Sequence, residues 1–133
     1  MHHSPVDGAS RPRRRLIDAA PLRRCIAEHG ADLILHGHEH AFSCDQIAGT
    51  NGPLPVFGMP SASKRSANPS QGAQYCVYGI EGDIHEWRIV AERRMFAPAS
   101  QSFVSSERRV VVRKGGALAL QVEAVVAACR ESA

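Results

Sequence analysis

Apolar positions along the chain change their period as it proceeds. Leu22, Cys25 and Ile26 recur at i, i+3 and i+4, the spacing of one helix face. Asp18 and Pro21 suit a helix start and Gly30 a helix end, so a helix is predicted over Ala19–His29. Leu33, Ile34 and Leu35 then form a short unbroken apolar run, the pattern of a strand buried on both faces, predicted over Asp32–Leu35. A helix leading directly into such a strand fits a parallel crossover.

From Ala41 onward the pattern is that of strands. Ala41–Ala48, Leu54–Met59, Gln74–Glu81 and Ile84–Val90 are predicted strands, the last running on to Met95. Turns are expected at Gly49–Gly52 and Gly82–Asp83, and a Ser/Ala/Pro-rich loop over Pro60–Gly72. Pro55 points to an edge or early strand position. Phe96–Glu107 is Ser/Ala-rich and weakly patterned, and Val110–Val112 reads as a short strand. Leu118, Val122, Val125, Val126 and Cys129 fall on one helical face, which predicts a C-terminal helix over Leu118–Cys129. The chain thus divides into a core over 1–96 and a compositionally different tail over 97–133.

Composition narrows this picture. A length of 133 residues corresponds to one domain. Sixteen basic and thirteen acidic side chains give a net charge of +3, and Arg11, Arg13, Arg14 and Arg15 exceed that excess by themselves. Four arginines without interleaved aromatics favour a solvated loop over nucleic-acid binding. The four cysteines, Cys25, Cys44, Cys76 and Cys129, contain no C-x-x-C pair, which excludes a zinc ribbon and favours reduced, buried thiols. The opening residues lack the apolar segment of a signal peptide, and no stretch approaches the roughly 20 apolar residues of a membrane span. A cytoplasmic location without membrane contact is the expectation.

The chemistry lies in the histidines. Five of the seven fall in two short clusters, His2-His3 and His36-Gly37-His38-Glu39-His40. The second follows the apolar run, at the strand end where α/β proteins place their chemistry. Gly37 permits a tight turn there, so His38 and His40 can aim their rings at one volume. Neutral imidazole is the commonest protein metal ligand, which makes these clusters candidate metal sites. Trp87 and Tyr78 read as core residues and Glu39 as an exposed loop residue.

These residues together resemble the C-terminal portion of the calcineurin-like metallophosphoesterase superfamily. His2-His3-Ser4-Pro5 resembles its His-His-Pro-Pro segment, Gly37-His38-Glu39-His40 its Gly-His-x-His motif, and Gly58-Met59-Pro60-Ser61-Ala62-Ser63 its return strand ending in small residues. The resemblance covers roughly residues 1–95. It implies an α/β fold, part of a four-layer α/β/β/α sandwich with antiparallel strands after the histidine loop. It implies a site for two divalent or trivalent ions (Mn, Fe or Zn), whose bridging hydroxide attacks a phosphomonoester or phosphodiester. Carried over, the metal ligands are His2, His38 and His40, with His3 and His36 as alternative or supporting groups. Arg11 and Arg13 are possible phosphate contacts.

The family's N-terminal half departs from this chain entirely. Its Asp-x-His, Gly-Asp-x-x-Asp and Gly-Asn-His motifs are read as absent from this chain. The chain is therefore expected to hold no catalytic residue of its own and to be inactive or weak alone, as a truncated or split product. The alternative is a non-catalytic metal-binding module that pairs with a separate N-terminal half or with a second copy of itself.

Overall fold

A computed structural model describes residues 1–8, 15–68 and 71–123. Its elements are α1 (Ala19–His29), β1 (Ile34–His36), β2 (Ser43–Gly49), β3 (Gly52–Gly58), β4 (Gln74–Gly82), β5 (Glu86–Ala97), β6 (Ser102–Lys114) and β7 (Ala117–Glu123). They form a mixed α/β structure of one helix and two sheets. The first sheet has the order β1-β3-β2, with β1 parallel and β2 antiparallel to β3. The second is the antiparallel meander β4-β5-β6-β7.

The middle strand β3 explains how these parts stack. Leu54, Pro55, Val56, Phe57 and Gly58 are all buried. Successive side chains of a strand point to opposite faces. Leu54 and Val56 join Ile34 against Val6 and Ile26 of the helix side. Phe57 points the other way and packs on Trp87, Ile89, Ala91 and Val111 of the meander. The first sheet thus lies between α1 and the second sheet, and three layers surround two apolar cores. Pro55, read as an edge signal, instead occupies the sheet's central strand, opposite Gln46.

Polar groups tie the layers together. Arg113 of β6 is 5% exposed, stacks 5.1 Å over the Trp87 ring and donates to the Pro53 carbonyl at 2.7 Å. Phe42 lies under two guanidiniums, Arg109 at 4.7 Å and Arg93 at 5.5 Å, and both arginines pair with Glu107. The Thr50 hydroxyl donates to the Ala27 carbonyl at 2.8 Å, docking the β2–β3 turn on the end of α1.

Three expectations from the sequence are corrected. Residues 102–107, read as weakly patterned, belong to β6, paired with β5 across a register shift at Arg93/Arg94. Ser106 is the extra residue of that bulge, and its hydroxyl donates to the Arg93 carbonyl at 3.1 Å. The bulge breaks the period-two alternation that would have announced the strand. The helix expected over Leu118–Cys129 is replaced by strand β7 as far as Glu123, and residues beyond lie outside the described set. Gly115 and Gly116 both have positive φ, 55° and 82°. That two-residue turn hooks the chain back antiparallel, and it decides the conformation of a helix-favouring Ala/Leu sequence. Cys25, expected to be buried, is exposed, while Cys44 and Cys76 are half-buried. Among the described residues no helix is long and apolar enough to cross a membrane.

Candidate metal centre

β1 ends at His36, and the chain at once leaves regular structure. His38 and His40 both adopt left-handed backbone, φ 69° and 53°. Such values are uncommon for residues with a side chain, histidine being among those that tolerate them best. The Glu39 amide donates to the Gly37 carbonyl at 2.9 Å, closing a turn of three residues. This turn aims the His38 ring back along the edge of β1.

The N-terminal histidines arrive along that same edge. The Met1 nitrogen donates to the Leu35 carbonyl at 2.8 Å, and the Gly37 amide donates to the His2 carbonyl at 2.9 Å. Ser4 is 3% exposed and Pro5 is fully buried. Arg23 of α1 donates to the Pro5 carbonyl at 2.7 Å and pairs with Asp7 at 2.9 Å. A histidine pair near a chain terminus is normally poorly supported. Here it is clamped between the edge of β1 and the helix.

The result is a histidine triad. The ring nitrogens of His2, His3 and His38 that could bind an ion all lie within 4.8 Å of one another. His38 Nδ1 is 2.9 Å from His2 Nε2. The His3 and His38 ring centroids are 4.1 Å apart, and His2 stands 4.7 Å from His38 and 4.8 Å from His3. Two imidazoles on one tetrahedral zinc have nitrogens about 3.3 Å apart, given metal–nitrogen distances of about 2.0–2.1 Å. The triad is therefore a group that could hold a single ion. It contains no carboxylate, and imidazoles alone do not offset the charge of a second ion.

The sequence candidates divide as follows. His2 and His38 meet. His3, held in reserve in the sequence reading, is a full member. His40 is exposed and stands outside the triad, because its left-handed residue turns the chain away. His36 is buried at 4% and pairs in the sheet with Gly58, whose missing side chain leaves room for the imidazole. Its Nδ1 lies 3.1 Å from the Gly37 carbonyl, and its Nε2 is buried without a partner among the described residues. Its own carbonyl accepts the Met59 amide at 2.7 Å, so β3 ends beside the histidine loop. Arg11 and Arg13 lie outside the described residues.

The Asp-x-His spacing read as absent does occur once, at Asp83-Ile84-His85. It sits in the β4–β5 turn, where Asp83 Oδ1 accepts the amides of His85 at 2.8 Å and Glu86 at 3.0 Å. These two amides hold the Asp83 carboxyl below its ordinary range. Asp83 is a turn cap and is not part of the histidine cluster. Comparison with protein-family models, with curated proteins and with solved structures finds no match to this chain.

Proposed function

We propose that this chain carries the histidine half of a metal-dependent phosphoester hydrolase. The observation that supports this reading is the meeting of His2, His3 and His38 from two separate segments at the end of a parallel strand. Imidazole ligands suit zinc, iron and related transition ions. When bound, such an ion polarises phosphoryl oxygens and lowers the pKa of water. His2, His3 and His38 would hold it, on a backbone tied to the edge of β1 and, through Pro5 and Asp7, to α1. Asp-rich and Asn-containing motifs of the metallophosphoesterase type are absent from these 133 residues. Full activity therefore needs carboxylates from another chain or segment.

A second reading has its own support. A triad of imidazoles without any carboxylate suits a metal-binding module whose role is association with a carboxylate-bearing partner.

The test is cobalt(II) and zinc titration of the chain, followed by hydrolysis of an aryl phosphodiester with manganese. One ion per chain is expected, with affinity lowered about 100-fold or more in H38A. Turnover by the chain alone should fall well below about 1 per second. No stoichiometric binding overturns the metal reading. Turnover at or above that rate overturns the need for outside carboxylates.

A further inference from the structure

Most charges of the meander are paired within it. Arg93 and Arg109 pair with Glu107, Arg94 with Glu92, Arg88 and Arg108 with Glu123, and Lys114 with Glu86. Lys64 and Arg65 are different. They follow β3, and neither makes an ion pair among the described residues.

Both line a cleft of about 390 Å³ together with Ser63, Ser66, Phe96 and Phe103. No carboxylate among the described residues lines it. Each of four other clefts contains one: Asp7 in the two against α1, Asp45 between β2 and β7, and Glu86 at the β6–β7 turn. The cleft's floor is aromatic. Phe96 and Phe103 are cross-strand partners with centroids 5.5 Å apart, and Tyr75 meets Phe103 edge-on at 4.8 Å. Phe103 remains 37% exposed.

We infer that this cleft binds a nucleoside monophosphate, its phosphate on Lys64 and Arg65 and its base against Phe96 and Phe103. Two unopposed cations select an anion, and Arg offers a planar fork that matches phosphate oxygens. Exposed aromatic surface beside them selects a flat ring, by the stacking that operates in single-stranded nucleic-acid sites. The volume lies within the range of small-molecule sites. Serine hydroxyls supply further donors.

This inference deepens the phosphoester reading, because the loop carrying Lys64 and Arg65 leaves the end of β3 beside the histidine loop. The Met59 amide is bonded to the His36 carbonyl. Lys64 lies five residues further on, a span of at most about 18 Å. Ser61 accepts the Gln74 amide at 3.0 Å and Ala73 the Phe96 amide at 2.9 Å, so backbone bonds link this loop to both sheets. As a substrate site it rests on the metal reading. As a binding site it does not.

Calorimetric titration of the whole chain with AMP in EDTA separates the two. AMP should bind with a dissociation constant of about 1 mM or below. K64A/R65A, both exposed or half-exposed, should weaken it about tenfold or more. Inorganic phosphate and adenosine should each bind more weakly than AMP, and Phe103→Leu should lower AMP affinity without changing that for phosphate. Absence of AMP binding, equal affinity in K64A/R65A, or phosphate binding as tightly as AMP overturns the inference. Because metal is excluded, none of these outcomes depends on the histidine triad.

Discussion

β5 and β6 run for 12 and 13 residues, cross-linked by paired charges and interrupted by one bulge. β1 has 3 residues, borrows the N-terminal segment as its edge partner and runs into two left-handed histidines. The meander pairs most of its charges within itself, although Trp87 Nε1 and Arg113 Nε are buried without a partner among the described residues. The first sheet is the reverse: short, partly irregular and bearing the convergent imidazoles. Scaffold and candidate site are thus separate, and two of the three non-glycine residues with positive φ among those described, His38 and His40, lie in the histidine loop. The measurements below probe that division.

The largest effect belongs to the residue that joins the two regions. Phe57 of β3 is fully buried against Trp87, Ile89, Ala91 and Val111. Phe57→Ala should destabilise by about 3–5 kcal/mol, the usual cost of such a cavity. Urea unfolding followed by Trp87 fluorescence and by metal affinity should show both falling together. If metal affinity survives while Trp87 is released, the first sheet does not depend on the meander.

Alkaline pH tests the boundary between the sheets from the meander's side. Burial pushes the Cys76 thiol of β4 up to about 11 from an ordinary 9.0, against the weaker opposing influence of Tyr78 and Arg93. Burial also raises the Cys44 thiol and the Tyr78 hydroxyl. In the unfolded chain Cys76 ionises near 9, while the folded protein keeps its proton to about 11. Its contribution is therefore intact below pH 9 and lost as pH rises to about 11, costing about 1–2 kcal/mol after allowance for partial exposure. Thermal unfolding of the wild type and of Cys76→Ala should diverge in that window; parallel pH profiles would refute the assignment.

The meander's charge matching makes a smaller, salt-sensitive contribution. Glu107 accepts from Arg109 at 2.6 Å and Arg93 at 3.1 Å, with all three side chains about one-fifth to one-quarter exposed. Glu107→Gln should cost about 0.5–1.5 kcal/mol at low ionic strength and less in about 1 M salt. Metal affinity should be unchanged, since the pairs belong to the scaffold. A large drop in that affinity would mean the division is drawn in the wrong place.

Legibility in the sequence followed the same division, in inverted form. The helix over Ala19–His29 was readable to its exact residues, because its stripe, Pro21 and Gly30 agree. Asp18, read as its side-chain cap, makes no such bond and offers only its carbonyl to Leu22. Strands β2 to β5 were readable from local alternation and turn residues. Of the far meander only Val110–Val112 was readable, because a bulge at Ser106 and a two-glycine turn set the register of the rest, and neither leaves a periodic trace. Within the site, the resemblance assigned His2, His38 and His40 as ligands with His3 as an alternative, and the structure brings His2, His3 and His38 together instead, because the places of His3 and His40 depend on where backbone dihedrals turn the chain, not on spacing. The pairing of His36 with Gly58 was likewise invisible, being set by strand register across twenty-two residues.

The smallest effect on stability is the most discriminating about the site. His38 sits at φ 69°, a region where a side chain costs up to about 1–2 kcal/mol and glycine costs nothing sterically. His38→Gly relieves that strain but adds freedom to the unfolded chain, worth about 0.5–1 kcal/mol in the opposite direction. Metal-free stability should therefore stay level or rise by up to about 1 kcal/mol, while metal affinity collapses. His38→Ala keeps the strain and should lose affinity without the gain, so the pair separates backbone cost from ligand function. If the glycine variant is instead less stable by more than about 1 kcal/mol in the absence of metal, the His38 ring is a structural contact in its own right. The left-handed backbone would then serve packing of the triad against His2 and His3, with no stability set aside for an ion.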